Sequence, residues 1–500
     1  MKPWLLLSLS VIACSSAKKD TATQAPTEET GGEDTAINTS GMELVKGLAI
    51  TEIAVFQGPK VLIAKDGAKN ASRRAPVVAG REGLLRVSVK TAADWAAREV
   101  VATLTLQNGA GKKVLNDTKT LSAASSDERL DSTFNFELTD ILTPDTTYSV
   151  DLKTEPGQTA GGDTAGAQYP ADGSLEALDA QATGEQLQIK IVPVQYNADG
   201  SGRLPDTSEA QLERYRKGFQ RMYPARKVEV TVRAPFPWSS AITRNGSGFG
   251  NLLNSVIRLR QTDGAPKGTY YYGAFIGAAT FEQWCQYSCV AGLSPLAQNP
   301  GDTWTAASIG VGWAGDATVG TAAHEVGHGH GRNHSPCAPG GMIDGVDPKY
   351  PYAGAVLGAW AYDVENKVLI NPTKTKDFMG YCDPSFVSDY TYGALATRMS
   401  YVYGAKFMIT GPAQTFRMFN VDADGGMTAG EEVVTTDVAE GEPRAVSLAV
   451  DGGRKLPVKG AFYPYDHLGG GLLVVPVGTA KVRGIEVRDL VPGVVSKLTL

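Results

Sequence analysis

Residues 324–334 read HEVGHGHGRNH. This run constrains the fold because its spacing makes several demands on the backbone at once. His324 and His328 lie four apart, so a helix places them on one face. Gly331 follows three residues later, where a helix that must turn back needs a residue free to adopt positive φ. The reversed chain can then deliver His334 as a third nitrogen. Three imidazoles leave the fourth tetrahedral position of a zinc ion open, as in catalytic rather than structural sites. Glu325, beside the first ligand, is placed to act as general base on a water in that position. A histidine-rich metal scavenger carries no such fixed spacing. His330 falls about 240° around the axis from His324, off the metal face. It is expected in solvent or behind the ligands rather than on the metal.

Five hundred residues exceed what one core supports, so several domains are expected. The net charge of −6 and the absence of a basic run argue against a nucleic-acid partner. No apolar stretch is long enough to span a bilayer. At the N-terminus, Lys2 precedes an apolar run, 4–13, that ends Val11-Ile12-Ala13-Cys14 and resembles a bacterial lipobox cut before the cysteine. Residues 1–13 then form a signal peptide and Cys14 carries a lipid, which is the only membrane contact expected. Ser15 rather than Asp after it points to the outer membrane. The alternative is an ordinary secretory signal with an incidental cysteine, giving a secreted protein. Residues 14–41 are polar and lack aromatics, as a disordered tether does.

Residues 42–153 show short alternating runs, such as 84–89 and 102–106, separated by Gly, Asn and Asp turns, and read as an antiparallel β domain. Residues 154–185 are poor in large apolar side chains and read as a linker. From 186 to 405 strands alternate with helices, the pattern of an α/β sheet. Strands are expected at 187–192, 228–232, 270–276 and 308–313. One helix is opened by Ser208 with Gln211 three residues on, and another by Ser388. Residues 406–500 return to β alternation.

The extended histidine motif resembles that of the metzincin zinc endopeptidases, and Asp377-Phe378-Met379-Gly380-Tyr381-Cys382 resembles their methionine turn. The resemblance covers 186–405. It implies a metzincin-like α/β catalytic domain, which with the β alternation on either side makes a multidomain α+β protein, the catalytic domain flanked by N-terminal and C-terminal β-sandwich-like domains. It further implies that Met379 is an apolar floor beneath the ligands and that Tyr381 contacts zinc or steadies the transition state. A loop tyrosine bonded to nearby backbone is the alternative for Tyr381. Asp377 departs from the serine usual in branches with that tyrosine. An unusual insert between His334 and Met379 holds Tyr350, Tyr352, Trp360 and Tyr362, which either line a specificity pocket or belong to a core.

Besides Cys14 there are four cysteines, an even number that in an exported protein reads as two disulfides with three connectivities. Cys337, just after the third ligand, and Cys382, in the methionine turn, must both approach the metal. Pairing Cys337 with Cys382 and Cys285 with Cys289 is therefore preferred. A four-thiolate zinc cluster does not suit an oxidising compartment.

The expected function is zinc-dependent hydrolysis of peptide bonds in extracellular or cell-surface proteins, glycoproteins among them, with extended substrate pairing against 308–313 as an edge strand. A surface adhesin or glycan-binding lipoprotein with a non-catalytic zinc domain is the alternative. Asn420, Asp422, Asp424 and Glu431 match the ligand spacing of an EF-hand loop. Their flanks look like strands, so a hairpin turn is the first reading and Ca2+ the second. His467, alone in a glycine-rich tail, carries no functional expectation. No cysteine lies between Ser15 and Trp284, so latency through a propeptide cysteine is not available; an N-terminal carboxylate is the remaining candidate.

Overall fold

A computed structural model describes residues 37–139, 141–157, 162–184, 186–286, 288–338, 343–404 and 412–500. The signal segment, Cys14 and most of the tether lie outside the described residues. The chain is mixed α+β and strand-rich. It divides into two compact units, one containing 37–182 and 359–371, the other 183–358 and 372–500.

The first unit holds two antiparallel sheets. One is built on Leu48–Phe56, Lys60–Lys65, Gly83–Thr91 and Phe134–Leu138, the other on Arg98–Asn108, Gly111–Leu121 and Thr147–Thr154. Strand alternation buries Leu85 and Val87 in one sheet and Leu104, Val150 and Leu152 in the other. The stretch 154–185, read above as a linker, instead supplies Gln168–Tyr169 and Glu176–Ala177, both paired with Thr147–Thr154. Few large apolar residues suffice there because Tyr169 stacks on Tyr148 at 5.6 Å and fastens the segment. Residues 359–371 form a further hairpin, Ala361–Asp363 with Val368–Ile370. Tyr362 and Trp360 pack with Phe56 and Leu84 in this unit's core, so these two insert aromatics do not line a pocket at the metal site.

In the second unit the strands Lys227–Val232, Gln186–Tyr196, Thr269–Phe275 and Ala307–Val311 lie side by side and parallel, and Gly292–Leu293 closes the row antiparallel to Ala307–Val311. The expectation that 308–313 is the edge strand is therefore corrected. Two residues were too short a run to announce themselves, yet they take the edge. Helices Glu209–Met222 and Asp316–Gly329 pack together on one face; Tyr270 and Tyr272 point to them, with Tyr272 against Tyr215. Helix Phe249–Thr262 packs against the other face, onto Tyr271, Phe275 and Ile309. Ser208 caps the first of these helices by accepting from Gln211 N.

The C-terminal residues 414–499 form one seven-stranded antiparallel sheet rather than a two-sheet sandwich. Its inner face encloses Phe419, Val446, Leu448, Leu473 and Val487. Its other face places Met418, Tyr463, Leu472 and Val474 in one core with helix Phe249–Thr262. The expected calcium residues are not gathered. Ala423-Asp424-Gly425 is the turn between strands Gln414–Asp422 and Met427–Thr435. Asn420 accepts from Tyr465, and Glu431 pairs with Arg258 at 2.9 Å.

Candidate metal centre

Helix Asp316–Gly329 carries His324, Glu325 and His328 into the interior, all buried. It stops where the spacing requires. Gly331 has φ +81°, its N–H returns to the His328 carbonyl at 2.8 Å, and Arg332 N–H returns to Gly327 O at 3.0 Å. The reversed strand is then held by His334 N–H to Gly345 O (3.0 Å) and Asp347 N–H to His334 O (2.8 Å), which turns the third histidine toward the other two.

Each of the three imidazoles is oriented from behind. Nδ1 of His324 lies 2.9 Å from Phe378 O, Nδ1 of His328 2.6 Å from Arg332 O, and Nδ1 of His334 2.5 Å from Asp344 O. A carbonyl can only accept, so each Nδ1 carries the hydrogen and each Nε2 presents a lone pair. Nε2 of His324 and of His328 face each other at 3.0 Å. Two lone pairs at that distance repel unless a cation lies between them.

The methionine-containing turn forms the floor. Met379 is buried with its sulfur against Gly327 of the histidine helix. Asp377 builds that turn: its buried carboxylate accepts from Met379 N at 2.9 Å and from Ser388 N and Oγ at 3.0 and 2.5 Å, tying the turn to the cap of helix Asp389–Tyr403. Here an acidic residue supplies two acceptors to two backbone donors. Cys337 is bonded to Cys382, with Cα atoms 5.7 Å apart, and Tyr381 N–H reaches Cys337 O at 2.7 Å, joining this turn to the His334 strand. Cys285 and Cys289 form the second, local disulfide. The Tyr381 hydroxyl lies 2.9 Å from His334 Nε2, so it faces the histidines and not local backbone.

His330 is buried, contrary to a solvent position. It stacks on Tyr270 with centroids 4.1 Å apart and its Nδ1 binds Val326 O. It fills the core behind the helix and is remote from the ligand set. Tyr350 and Tyr352 pack edge-on to each other, and Tyr350 packs likewise with Tyr390.

Two residues that sequence reasoning passed over complete the centre. Strands Lys455–Pro464 and Gly470–Pro476 of the C-terminal sheet are joined by a tip that inserts Asp466 and His467 among the histidines. One ligand atom from each of His324, His328, His334, Asp466 and His467 lies within 4.8 Å of all the others. Asp466 Oδ1 accepts from Ser294 N at 2.9 Å. Its Oδ2 is buried without a hydrogen-bond partner, 3.2 Å from His328 Nε2 and 2.9 Å from His467 Nε2. His467 Nε2 donates to Glu325 Oε1 at 3.0 Å, and its Nδ1 meets the Tyr381 hydroxyl. Glu325 Oε2 is buried and unpartnered.

The electrostatics follow from this packing. Burial pushes the Glu325 carboxyl up to about 8, with Asp466 adding to the effect and His467 opposing it. Burial also works to raise Asp466, but His467 and His328 hold it far below the usual carboxylate range. Burial would lower His467, yet Asp466 and Glu325 beside it push it up to about 10. His328 is lowered to about 4, by burial first. Three neutral imidazoles and a carboxylate oxygen left unpartnered form a donor set that fits a divalent cation.

Fold and site together define a strand-rich α+β protein with a buried histidine–aspartate group able to bind a metal. No known family model matches the chain, and no curated protein matches it.

Proposed function

We propose that the chain is a zinc-dependent endopeptidase of metzincin type, acting on extended segments of extracellular or cell-surface proteins, glycoproteins among them. One observation carries this reading: three imidazole Nε2 atoms converge on one point while Glu325, buried next to the first of them, keeps Oε2 unpartnered. A base beside a metal has a use only where water is to be activated. Bound zinc would be held by His324, His328 and His334 and would supply Lewis acidity to a carbonyl and acidity to a water. Glu325, as the carboxylate, can take a proton from that water and pass it to the leaving amine. The Tyr381 hydroxyl can donate to the oxygen on which negative charge develops. Two disulfides support action outside the cytoplasm, and the lipobox at Cys14 supports a chain that is itself lipid-anchored at the outer membrane.

A second reading is favoured by Asp466, since a fourth protein ligand is what a structural metal site has. On that reading the chain is a surface-binding protein whose β sheets carry its function. The two are separated by assaying zinc content and hydrolysis of unfolded, collagenous and O-glycosylated proteins, with and without Glu325→Ala, in chains that carry Asp466 or Asn in its place. Hydrolysis that depends on Glu325 in either background supports the peptidase. Activity unaffected by Glu325→Ala, or absent from every chain at full zinc content, sinks it.

A further inference from the structure

The tip that brings Asp466 and His467 to the metal centre does more than lie near it. Leu296 N–H donates to Pro464 O at 3.0 Å, Pro295 and Tyr465 form an antiparallel bridge, and Asp466 N–H reaches Ser294 O at 3.3 Å. Residues 464–466 are thus an extended segment laid on the chain just beyond the edge strand Gly292–Leu293. Backbone pairing along a sheet edge is also how an extended peptide is recognised. The same segment then places its carboxylate among the ligands. Neighbouring ligand atoms of a tetrahedral zinc ion, each about 2.0–2.1 Å from the metal, stand roughly 3.3 Å apart. His324 Nε2 to His328 Nε2 is 3.0 Å and His328 Nε2 to Asp466 Oδ2 is 3.2 Å. Asp466 Oδ2 thus stands from His328 Nε2 at the separation of two ligands on one tetrahedral ion, and a carboxylate oxygen of Asp466 lies within 4.8 Å of a ring nitrogen of both His324 and His334. His467 occupies the remaining ground, bonded on one side to Glu325 and on the other to Tyr381.

Building on the peptidase reading, we propose that this hairpin tip is an internal plug: Asp466 is a fourth protein ligand of the metal, His467 engages Glu325 and Tyr381, and the centre stays closed until the tip withdraws. The segment 464–467 then holds the edge and the fourth coordination position that an extended substrate would need. The plug is moored away from the metal by Tyr465 Oη to Asn420 Oδ1 (2.8 Å) and Tyr463 Oη to Asp302 Oδ1 (3.0 Å), so its release is a movement of the tip against a docked sheet.

The experiment uses the full chain loaded with zinc, or with cobalt for spectroscopy, and compares wild type, Asp466→Asn, Asp466→Ala and His467→Ala. Asp466→Asn keeps an acceptor for Ser294 N–H, so it guards against a variant that fails to fold. Binding of a small hydroxamate, which needs an open metal position, is measured by calorimetry, and the cobalt d–d spectrum reports coordination. Because apparent affinity scales with the open fraction, hydroxamate should bind at least ~10-fold more tightly to both Asp466 variants than to wild type. The cobalt spectrum of wild type should lack the change on hydroxamate addition that the variants show. Equal binding to wild type and variants overturns the plug. So does a wild type that hydrolyses protein and loses activity in His467→Ala, which would make His467 part of the catalytic apparatus. Variants that bind hydroxamate tightly yet hydrolyse nothing leave the plug standing and remove the peptidase reading.

Discussion

Nε2 of His328 and Oδ2 of Asp466 stand 3.2 Å apart, and neither carries a hydrogen for the other. The histidine has given its hydrogen to Nδ1, where Arg332 O accepts it, and the aspartate is a buried carboxylate held far below its usual pKa. Two acceptors kept in contact inside a protein are costly unless a positive charge is shared between them. His467 supplies part of that charge, and a metal would supply the rest.

Metal removal should therefore be felt by the whole unit. Dialysis against a chelator is expected to lower Tm, and one equivalent of zinc per chain to restore it. At a free metal concentration 100 times Kd the stabilisation would be about 2.7 kcal/mol. His328→Ala should abolish the dependence. A Tm unmoved by chelator, with metal shown to be gone, would count against the ligand set.

Tyr381 gives a test of the proposed chemistry. Tyr381→Phe removes one hydroxyl that faces His334 and His467 and leaves the disulfide and the methionine turn in place. In the Asp466→Asn background the peptidase reading expects a fall of about 10²–10³ in kcat, the cost of one lost donor to an oxyanion. Metal content should not change. An unaltered rate would return Tyr381 to a purely structural part.

Gly292 lies on the edge strand directly over the base. A β-carbon there would come within 2.3 Å of Glu325 Oε1 and 2.5 Å of its Cδ, and Glu325 is fixed on a buried helix turn. Gly292→Ala should cost about 1–3 kcal/mol, as overpacking does. It should also break the Glu325–His467 hydrogen bond. Thermal denaturation reads the first effect. An unchanged Tm would show that the strand and the Glu325 turn have room for a methyl group between them.

Asp302 makes the docking of the C-terminal sheet sensitive to pH. Burial pushes its carboxyl up to about 7, against the opposing effects of Tyr463 and Arg398. In the unfolded chain it ionises near 4. Between those values the folded protein holds a proton that the unfolded chain has lost. The contribution to stability is therefore fully present below about pH 4 and is lost as pH rises through about 7. Asp302→Asn keeps an acceptor for Tyr463 and removes the charge. It should be nearly neutral at pH 4 and raise Tm relative to wild type at pH 8. Parallel Tm curves from pH 4 to 8 would show that Asp302 does not titrate in this window.

Much of the metal unit could be read locally. Ser208 and Ser388 marked helix starts because their side chains satisfy a free backbone donor three residues on, a relationship contained in four residues. The His324–His328–Gly331–His334 spacing carried its own geometry in the same way. The methionine turn was visible as a string, although not that Asp377 would knit it to Ser388. His467 was passed over because the one residue near it in sequence able to bind a metal is Asp466, and two polar residues before a run of glycines look like any hairpin tip. Its partners Glu325 and Tyr381 reach it only through the packing of the C-terminal sheet on helix Phe249–Thr262. His330 is the opposite case. Its angle from the metal face was right, but that direction is filled by Tyr270 and not by water.

The hairpin at 359–371 has a consequence for how the chain can be taken apart. It leaves the metal unit after 358, lodges in the N-terminal unit through Lys60 N–H to Trp360 O (2.7 Å) and Tyr362 N–H to Gly58 O (2.8 Å), and returns at 372. The chain thus passes from one unit to the other at 182–183, 358–359 and 371–372. A protease that nicks the chain between residues 177 and 186 would not shed the metal unit, because that unit still has a loop gripped in the other piece. The fragments should travel together on a sizing column and part only in denaturant.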